Sequence, residues 1–440
     1  MSVQPSQVHE TLKKAILTDG FSMVLDLEKS HGQWMYDSMG DRYYLDMFTF
    51  YASRPVAFNH PMLRDESYIK RLLDAARFKP SNCDTYTGLY AEFVEAFRTK
   101  AMGPGMKHLF FIDGGALAVE NALKAAFDWK ARKNMASGQI AKDMSIIHFS
   151  HAFHGRSGYT LSLTNTADPR KTQYFPKFDW PRIPSPAREF PQTEENQKSL
   201  IEAERKALYE IDQAYSRHGE DSIAGIIIEP IQCEGGDRHF RPEFIAALRK
   251  ICDSRDSLLI FDEVQTGLGG TGTMWYYEQL DVKPDLVAFA KKCQTGGIMG
   301  SERLDEVESV FHTSSRISST FTGNLVDFVR CARYLEIIEE ENLLERVKTV
   351  GSFIVSELEA LSARCDEVTN ARGVGTILAC DVPTTDDRDT IMKKAREAGL
   401  LILGSGERTL RLRPALDLTL EDAELGMQLF AKAVEGHFTA

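Results

Sequence analysis

No stretch of this 440-residue chain approaches the roughly 20 consecutive apolar residues that a membrane-spanning helix needs. The first residues, MSVQPSQVHETLKKAIL, lack the long apolar core of a secretory signal, so a cytoplasmic protein is expected. Positive charge is in deficit: 52 basic against 64 acidic side chains leave a formal net charge of −12. That balance argues against a nucleic-acid or anionic-membrane surface and favours small-molecule ligands. Cysteine is sparse and scattered. Cys83, Cys233, Cys252, Cys293, Cys331, Cys365 and Cys380 form no CxxC pair and no close Cys/His cluster. They read as reduced buried thiols, with neither a disulfide frame nor a metal site. Internal repeats and low-complexity tracts are also missing.

With 43% hydrophobic residues the chain can bury a large core, enough for two or three domains. Short runs that are apolar at nearly every position recur: HLFFID (108–113), MSIIHFS (144–150), IAGIIIEPI (223–231), SLLIFDEV (257–264) and DLVAFA (285–290). They predict strands buried on both faces, hence an α/β fold with a mostly parallel central sheet and helices on both faces. Between them, ALAVENALKAAFDWKAR (116–132) sets Ala118, Ala122, Ala125 and Ala126 on one helical stripe, and RPEFIAALRKICDS (241–254) predicts a second helix. Near the start, GQWMYDSMGDRYYLDMFTFYAS predicts a hairpin-like meander turning at Met39-Gly40-Asp41. After about residue 325 the pattern changes to a long helical segment, strand candidates at GTILACDV and TLRLRPAL, and a last amphipathic helix, LEDAELGMQLFAKAVEGHF. Three parts are therefore expected: an N-terminal segment 1–60, a large α/β domain 61–324 and a smaller C-terminal α+β domain 325–440. The polar stretch SPAREFPQTEENQKS (185–199) predicts an exposed loop.

Ligands of open parallel sheets sit beyond the carboxyl ends of the strands. There this sequence keeps its unusual polar residues: Asp113, Glu229, Asp262, Lys291 and Lys292 each close or follow an apolar run. A buried carboxylate wants a cation or a donor, and Asp262 alone could be a helix cap or half of a structural ion pair. Lys291 follows one expected strand–helix–strand unit later, at the same sheet edge. A desolvated amine has a lowered pKa and attacks carbonyls, and a carboxylate can hold a pyridinium nitrogen protonated. Together these are the needs of pyridoxal 5'-phosphate (PLP) chemistry. The phosphate has a candidate site in FIDGGALAVENA (111–122), where Gly114-Gly115-Ala116 opens a helix and free backbone N–H groups suit a dianion. Cys293 beside the lysines is either a reactive thiol or a packed small hydrophobe.

The stretch LIFDEVQTGLGGTGTMWYYEQLDVKPDLVAFAKKCQTG (259–296) resembles the signature of class III (fold type I) PLP-dependent aminotransferases nearly end to end. EPIQCEGGDRHFRPEF, GGALAVENALKAAFDWK, YLDMFTFYAS, RISSTFTGN and TLRLRPAL extend the resemblance over essentially the whole chain, most closely to bacterial members acting on the ε-amine of L-lysine. In that family a small residue precedes the Schiff-base lysine, which favours Lys291 (after Ala290) over Lys292. The resemblance implies further roles. Gly115 and Ala116 would hold the phosphate, Phe153 would stack on the ring with His154 beside it, and Val264 would cover the other face. Gln265 would reach the ring hydroxyl, Glu229 would support the site, and Thr320 would bond the phosphate from the second subunit of a homodimer with shared active sites.

The implied reaction is ping-pong transfer of lysine's terminal amine to 2-oxoglutarate, giving 2-aminoadipate 6-semialdehyde and glutamate. Arg411 would bind the acceptor's α-carboxylate, with Arg413 as competitor, and Arg156 the distal carboxylate. Glu234 would pair with Arg411 while an ω-amine donor is bound and release it for the acceptor. Tyr51, with Arg54 and Pro55, departs from the lysine-specific pattern at the pocket rim. The alternatives are another amine donor, 4-aminobutyrate or ornithine, and a catalytically silent PLP-fold protein that binds or regulates.

Overall fold

In each apolar run, alternate residues feed two different cores, as a strand covered on both faces requires. Ile226, Ile228, Leu259, Phe261, Val287 and Phe289 enter one cluster, while Ala224, Ile227, Leu258, Ile260, Leu286 and Ala288 enter another. The computed structural model describes residues 3–139 and 144–438; the ends of the expected N- and C-terminal parts, and 140–143 of the large one, lie outside these. The central sheet has seven strands, in the order Met106–Ile112, Gly296–Ser301, Leu286–Phe289, Leu258–Asp262, Ile223–Ile228, Ser145–Phe149 and Arg182–Ile183. All run parallel except Gly296–Ser301, which is antiparallel to both its neighbours.

Helix Gly115–Ala136 covers one face through the expected stripe, with Ala118, Ala122, Ala125 and Ala126 fully buried. Gly88–Lys100, Glu194–His218, Pro242–Ser254 and Leu325–Glu340 supply side chains to the core of the other face. Two expectations are corrected. The polar loop at 185–199 ends early, because Thr193 and Asn196 form a capping box that starts the 194–218 helix. Asp262 and Leu286 are bridged by no α-helix, only by a connection containing the short 3₁₀ turn Tyr276–Gln279. The lysines still reach the edge that carries Asp262, because the two strands pair in parallel, Asp262 opposite Ala288. Glu263 anchors that irregular connection: its buried carboxylate accepts from the N–H groups of Tyr276 and Tyr277 at 2.7 and 2.9 Å and from Thr266 Oγ1 at 2.9 Å.

Beyond Leu325, two consecutive helices, Leu325–Glu340 and Leu343–Arg364, lead to an antiparallel four-stranded sheet: Thr369–Val374, Ile377–Asp381, Thr409–Leu412 and Leu403–Ser405. The closing helix is Leu420–Phe438. The meander forms as expected from Leu25–His31, Trp34–Asp37 and Arg42–Asp46, and Leu400–Leu401 adds a parallel fourth strand from the other end of the chain. Just after it, Thr49, Phe50, Tyr51 and Ala52 all have φ between +42° and +65°. Four successive side chains in the left-handed region cost about 1–2 kcal/mol each, so the surroundings must hold this turn. Asp46 Oδ1 accepts from the N–H groups of Phe48 and Thr49, and Thr49 Oγ1 donates to Arg413 O at 2.6 Å.

Candidate active site

A cavity of about 580 Å³ opens at the carboxyl edge of the central sheet, within the roughly 300–1,000 Å³ typical of small-molecule sites. Its lining includes Gly115, Ala116, Phe153, His154, Arg156, Glu229, Glu234, Asp262, Val264, Gln265 and Lys291. These residues are contributed by the ends of five strands and the segments that follow them.

Lys291 sits on a strained backbone, φ +49°, in a short turn directly after strand Leu286–Phe289. Its Nζ donates to the carbonyl of Tyr51 at 3.1 Å. Burial, and secondarily the Arg411 guanidinium, lower its pKa to about 8. Lys292 turns the other way: its Nζ donates to Gln265 O at 2.8 Å, packed against Gly270 outside the cavity. Its pKa is lowered to about 7 by burial and then by Lys291, so proton affinity does not separate the two lysines and orientation does. Cys293 is packed in the core.

Asp262 is buried, its Oδ1 accepting from Val264 N at 3.0 Å and its Oδ2 lying 2.7 Å from His154 Nδ1. His154 Nε2 is buried without a partner. Glu229 accepts from the N–H groups of Phe153 and Cys233 at 2.7 and 3.3 Å, and burial, with Asp262 nearby, pushes its carboxyl well above the usual range. It thereby fixes Phe153 in the cavity wall. Asp113, in contrast, faces outward toward Lys79 at 3.7 Å.

Arg411 is buried with no carboxylate partner among the described residues, donating only to Cys233 O and Gln265 Oε1, both at 3.4 Å. Its competitor Arg413 is fully buried and ion-paired with Asp237, so its charge is spent inside the protein. The two arginines share the Gln265 amide oxygen, with Arg413 Nε at 3.1 Å. Glu234 and Arg411, expected to pair while an ω-amine donor is bound, are apart in this structure. Glu234 Oε1 is instead held by Lys171 Nζ at 2.5 Å and Thr166 Oγ1 at 2.8 Å. Arg156 is exposed at the cavity wall, 5.8 Å from the Phe153 ring centroid.

Besides Arg411 and Arg413, three further candidates lie outside the cavity lining. Thr320 is exposed and outside the lining. Tyr51 brings its carbonyl, while its ring is 56% exposed and packs on Phe48 at 5.0 Å. Arg54, the extra cation of this segment, is buried against Asp46 at 3.1 Å and does not line the cavity. Thr166, Lys171 and Gln294 were not singled out from the sequence. Gln294 lines the cavity and donates to Ser53 O at 2.7 Å. Its place three residues after Lys291 was the available signal; Thr166 and Lys171 lie in a connection with no pattern to read. Among the described residues one group with metal-binding atoms, His108, Asp305 and His312, lies away from the cavity.

A planar ring bearing an aldehyde, a basic nitrogen and a phosphate fits these residues. Helix Gly115–Ala136 begins without a side-chain cap, so its first N–H groups are free for an anion. At Gly115 a Cβ would come 2.9 Å from Val264 Cγ1, so only glycine leaves that wall open. An amine and a buried anion face the same space. The likeness to solved structures and to a known family makes this chain a PLP-dependent enzyme of fold type I, with that cavity at the carboxyl edge of its sheet.

Within this class the chain belongs to the class-III aminotransferase family, whose model matches residues 18–434. It is 48% identical over 431 residues to the L-lysine-epsilon aminotransferase of Amycolatopsis lactamdurans, covering 97% of this chain and 95% of that one. The solved lysine aminotransferase from M. tuberculosis superposes with a TM-score of 0.96 at 46% identity, covering 99% of this chain and 100% of the other. The mitochondrial 4-aminobutyrate aminotransferase of Sus scrofa is more distant, 30% identical over 434 residues, 92% of this chain and 83% of the relative.

With the cofactor removed, the Lys291 amine is expected to capture added aldehyde with a midpoint near pH 8, because only the neutral amine attacks. Arg411→Met should move that midpoint upward, since a neighbouring cation disfavours protonation. Rates of aldehyde capture against pH in a Lys292→Met background check this; a midpoint near the ordinary 10.5 would rule out a desolvated Lys291.

Proposed function

We propose that this aminotransferase moves the ε-amino group of L-lysine to 2-oxoglutarate, giving 2-aminoadipate 6-semialdehyde, which cyclises to piperideine-6-carboxylate, and L-glutamate. The observation carrying this reading is the likeness to an L-lysine-epsilon aminotransferase over 97% of the chain. PLP supplies a carbonyl that takes up the donor amine and an electron-poor ring that accepts the electrons of the neighbouring C–H bond. Lys291 would hold its aldehyde, Asp262 its ring nitrogen, and the N–H groups of Gly115 and Ala116 its phosphate. Phe153 and Val264 would cover the two ring faces, His154 would orient Asp262, and Gln265 would reach the ring hydroxyl.

Once freed, Lys291 Nζ takes a proton from the donor's ε-carbon, which its lowered proton affinity permits near neutral pH. Arg411, its charge uncommitted, grips the α-carboxylate of 2-oxoglutarate, and Arg156 the distal one. Glu234 neutralises Arg411 when the long apolar chain of lysine lies there, since an unpaired buried guanidinium beside methylenes is costly. Tyr51 borders the donor through its backbone.

We further infer a homodimer in which Thr320 serves the partner's phosphate site. Large exposed apolar side chains, among them Tyr51, Phe78, Tyr86 and Phe321, suit burial against a second copy. Sedimentation of a purely monomeric, fully active holoenzyme would remove that inference. The proposed division is 1–60, 61–324 and 325–440, with helix Leu325–Glu340 packed back on the core of the large domain. A cytoplasmic setting is favoured by the seven free cysteines.

The deciding assay gives the purified holoenzyme 2-oxoglutarate with L-lysine, L-ornithine or 4-aminobutyrate and measures glutamate formed. Lysine should exceed the other donors by at least about tenfold in kcat/KM, the discrimination that one or two methylenes provide. A preference for 4-aminobutyrate would replace the donor assignment, and no glutamate from any donor would refute amino transfer.

A further inference from the structure

Besides His154 Nε2, two buried polar atoms at the site lack partners: Glu234 Oε2, in the cavity lining, and Arg411 Nε, behind it. They belong to opposite charges in close neighbourhood: Cys233 O, one residue before Glu234, already accepts from Arg411 Nη1 at 3.4 Å. The two side chains nevertheless stay apart, because Glu234 is claimed from the other side. Lys171 Nζ sits 2.5 Å from its Oε1, and Thr166 Oγ1 donates to the same oxygen at 2.8 Å. Both donors lie in the connection between helix Gly158–Leu163 and strand Arg182–Ile183. Lys171 is available for this because the adjacent cation, Arg170, is committed to Asp168 at 2.8 Å.

We propose that Lys171 is the counter-anchor of a carboxylate with two positions: it holds Glu234 off Arg411 and so keeps Arg411 free for the α-carboxylate of a dicarboxylate acceptor. The inference rests on the amino-transfer reading above and names the residue that sets the gate's resting state. The pair's side chains are 27% and 19% exposed, so the contact is partly screened and reversible, as a gate requires. Without the ammonium, Glu234 loses its strongest alternative partner and collapses onto Arg411. The fraction of molecules competent for a dicarboxylate then falls, and the apparent affinity falls by the same factor. Lys171 is thus a positioning residue acting through Glu234.

Lys171 also lies 5.9 Å from the Phe153 ring centroid, beside Arg156 at 5.8 Å, so direct contact with the acceptor is the competing role. Calorimetric titration of the holoenzyme with glutarate, a dicarboxylate lacking the reactive keto group, separates the two. Lys171→Met should weaken glutarate about tenfold, a loss on the scale of one charge-assisted hydrogen bond, while Lys171→Arg should stay within about threefold. In a Glu234→Gln background, Lys171→Met should produce no further loss. Unchanged binding in Lys171→Met, or the same loss with Glu234 already removed, would overturn the proposal. Failure of the wild-type enzyme to form glutamate would instead strike the amino-transfer reading, leaving the glutarate comparison intact.

Discussion

Replacing Lys291 by alanine is expected to abolish turnover, with a loss on the order of 10⁴-fold or more, because in the proposed reaction one side chain both holds the cofactor aldehyde and moves the proton. The bound cofactor should also lose the absorbance of its lysine adduct. Lys292→Met should keep that absorbance and lose at most about tenfold in kcat, since the Lys292 amine only ties Gln265 O at 2.8 Å outside the cavity. Spectra of the two variants, read beside their kcat values, provide the measurement. An inactive, colourless Lys292 variant beside a normal Lys291 variant would transfer the role to the second lysine.

Asp262→Asn should be the next most damaging change. Asparagine keeps the size and can still accept from Val264 N, as Asp262 does at 3.0 Å, but it removes the buried negative charge. Losing one partner of a buried charge pair costs about 3–5 kcal/mol, which corresponds to roughly 10²–10⁴-fold in kcat/KM. His154 would suffer too, because its Nδ1 lies 2.7 Å from Asp262 Oδ2. Steady-state kinetics with the preferred donor, together with the cofactor's dissociation constant, give the test. An Asn variant within tenfold of wild type would show that no ring nitrogen depends on Asp262.

Much of this site was legible because burial and chemistry conflict there. A carboxylate ending LLIF and an amine after LVAF are costly unless used, and both line the cavity. The stripe of helix Gly115–Ala136 and the limits of Leu420–Phe438 were equally plain, since each repeats at helical spacing. Strand Gly296–Ser301 was hidden by Gly296, Gly297 and Gly300, which read as turn residues. They are small because the strand is crowded: at Gly300 a Cβ would come 2.8 Å from the Phe311 ring. The left-handed turn at Thr49–Ala52 could not be foreseen either, since no residue in it favours φ above zero and only the contacts of Asp46 and Arg413 impose it. Lys171 escaped for a related reason: its partner is 63 residues away, and no local pattern reports a tertiary ion pair.

The strand Leu400–Leu401, paired with Arg42–Asp46, has a consequence for the chain as it leaves the ribosome. The meander is made first, but its last edge finds no mate until nearly the whole polypeptide has emerged, and Arg413 N must also reach Met47 O at 2.8 Å. An unmated edge waiting that long invites pairing with a neighbouring nascent chain. Truncation anywhere before residue 400 would therefore yield sticky, aggregating fragments rather than a shorter enzyme.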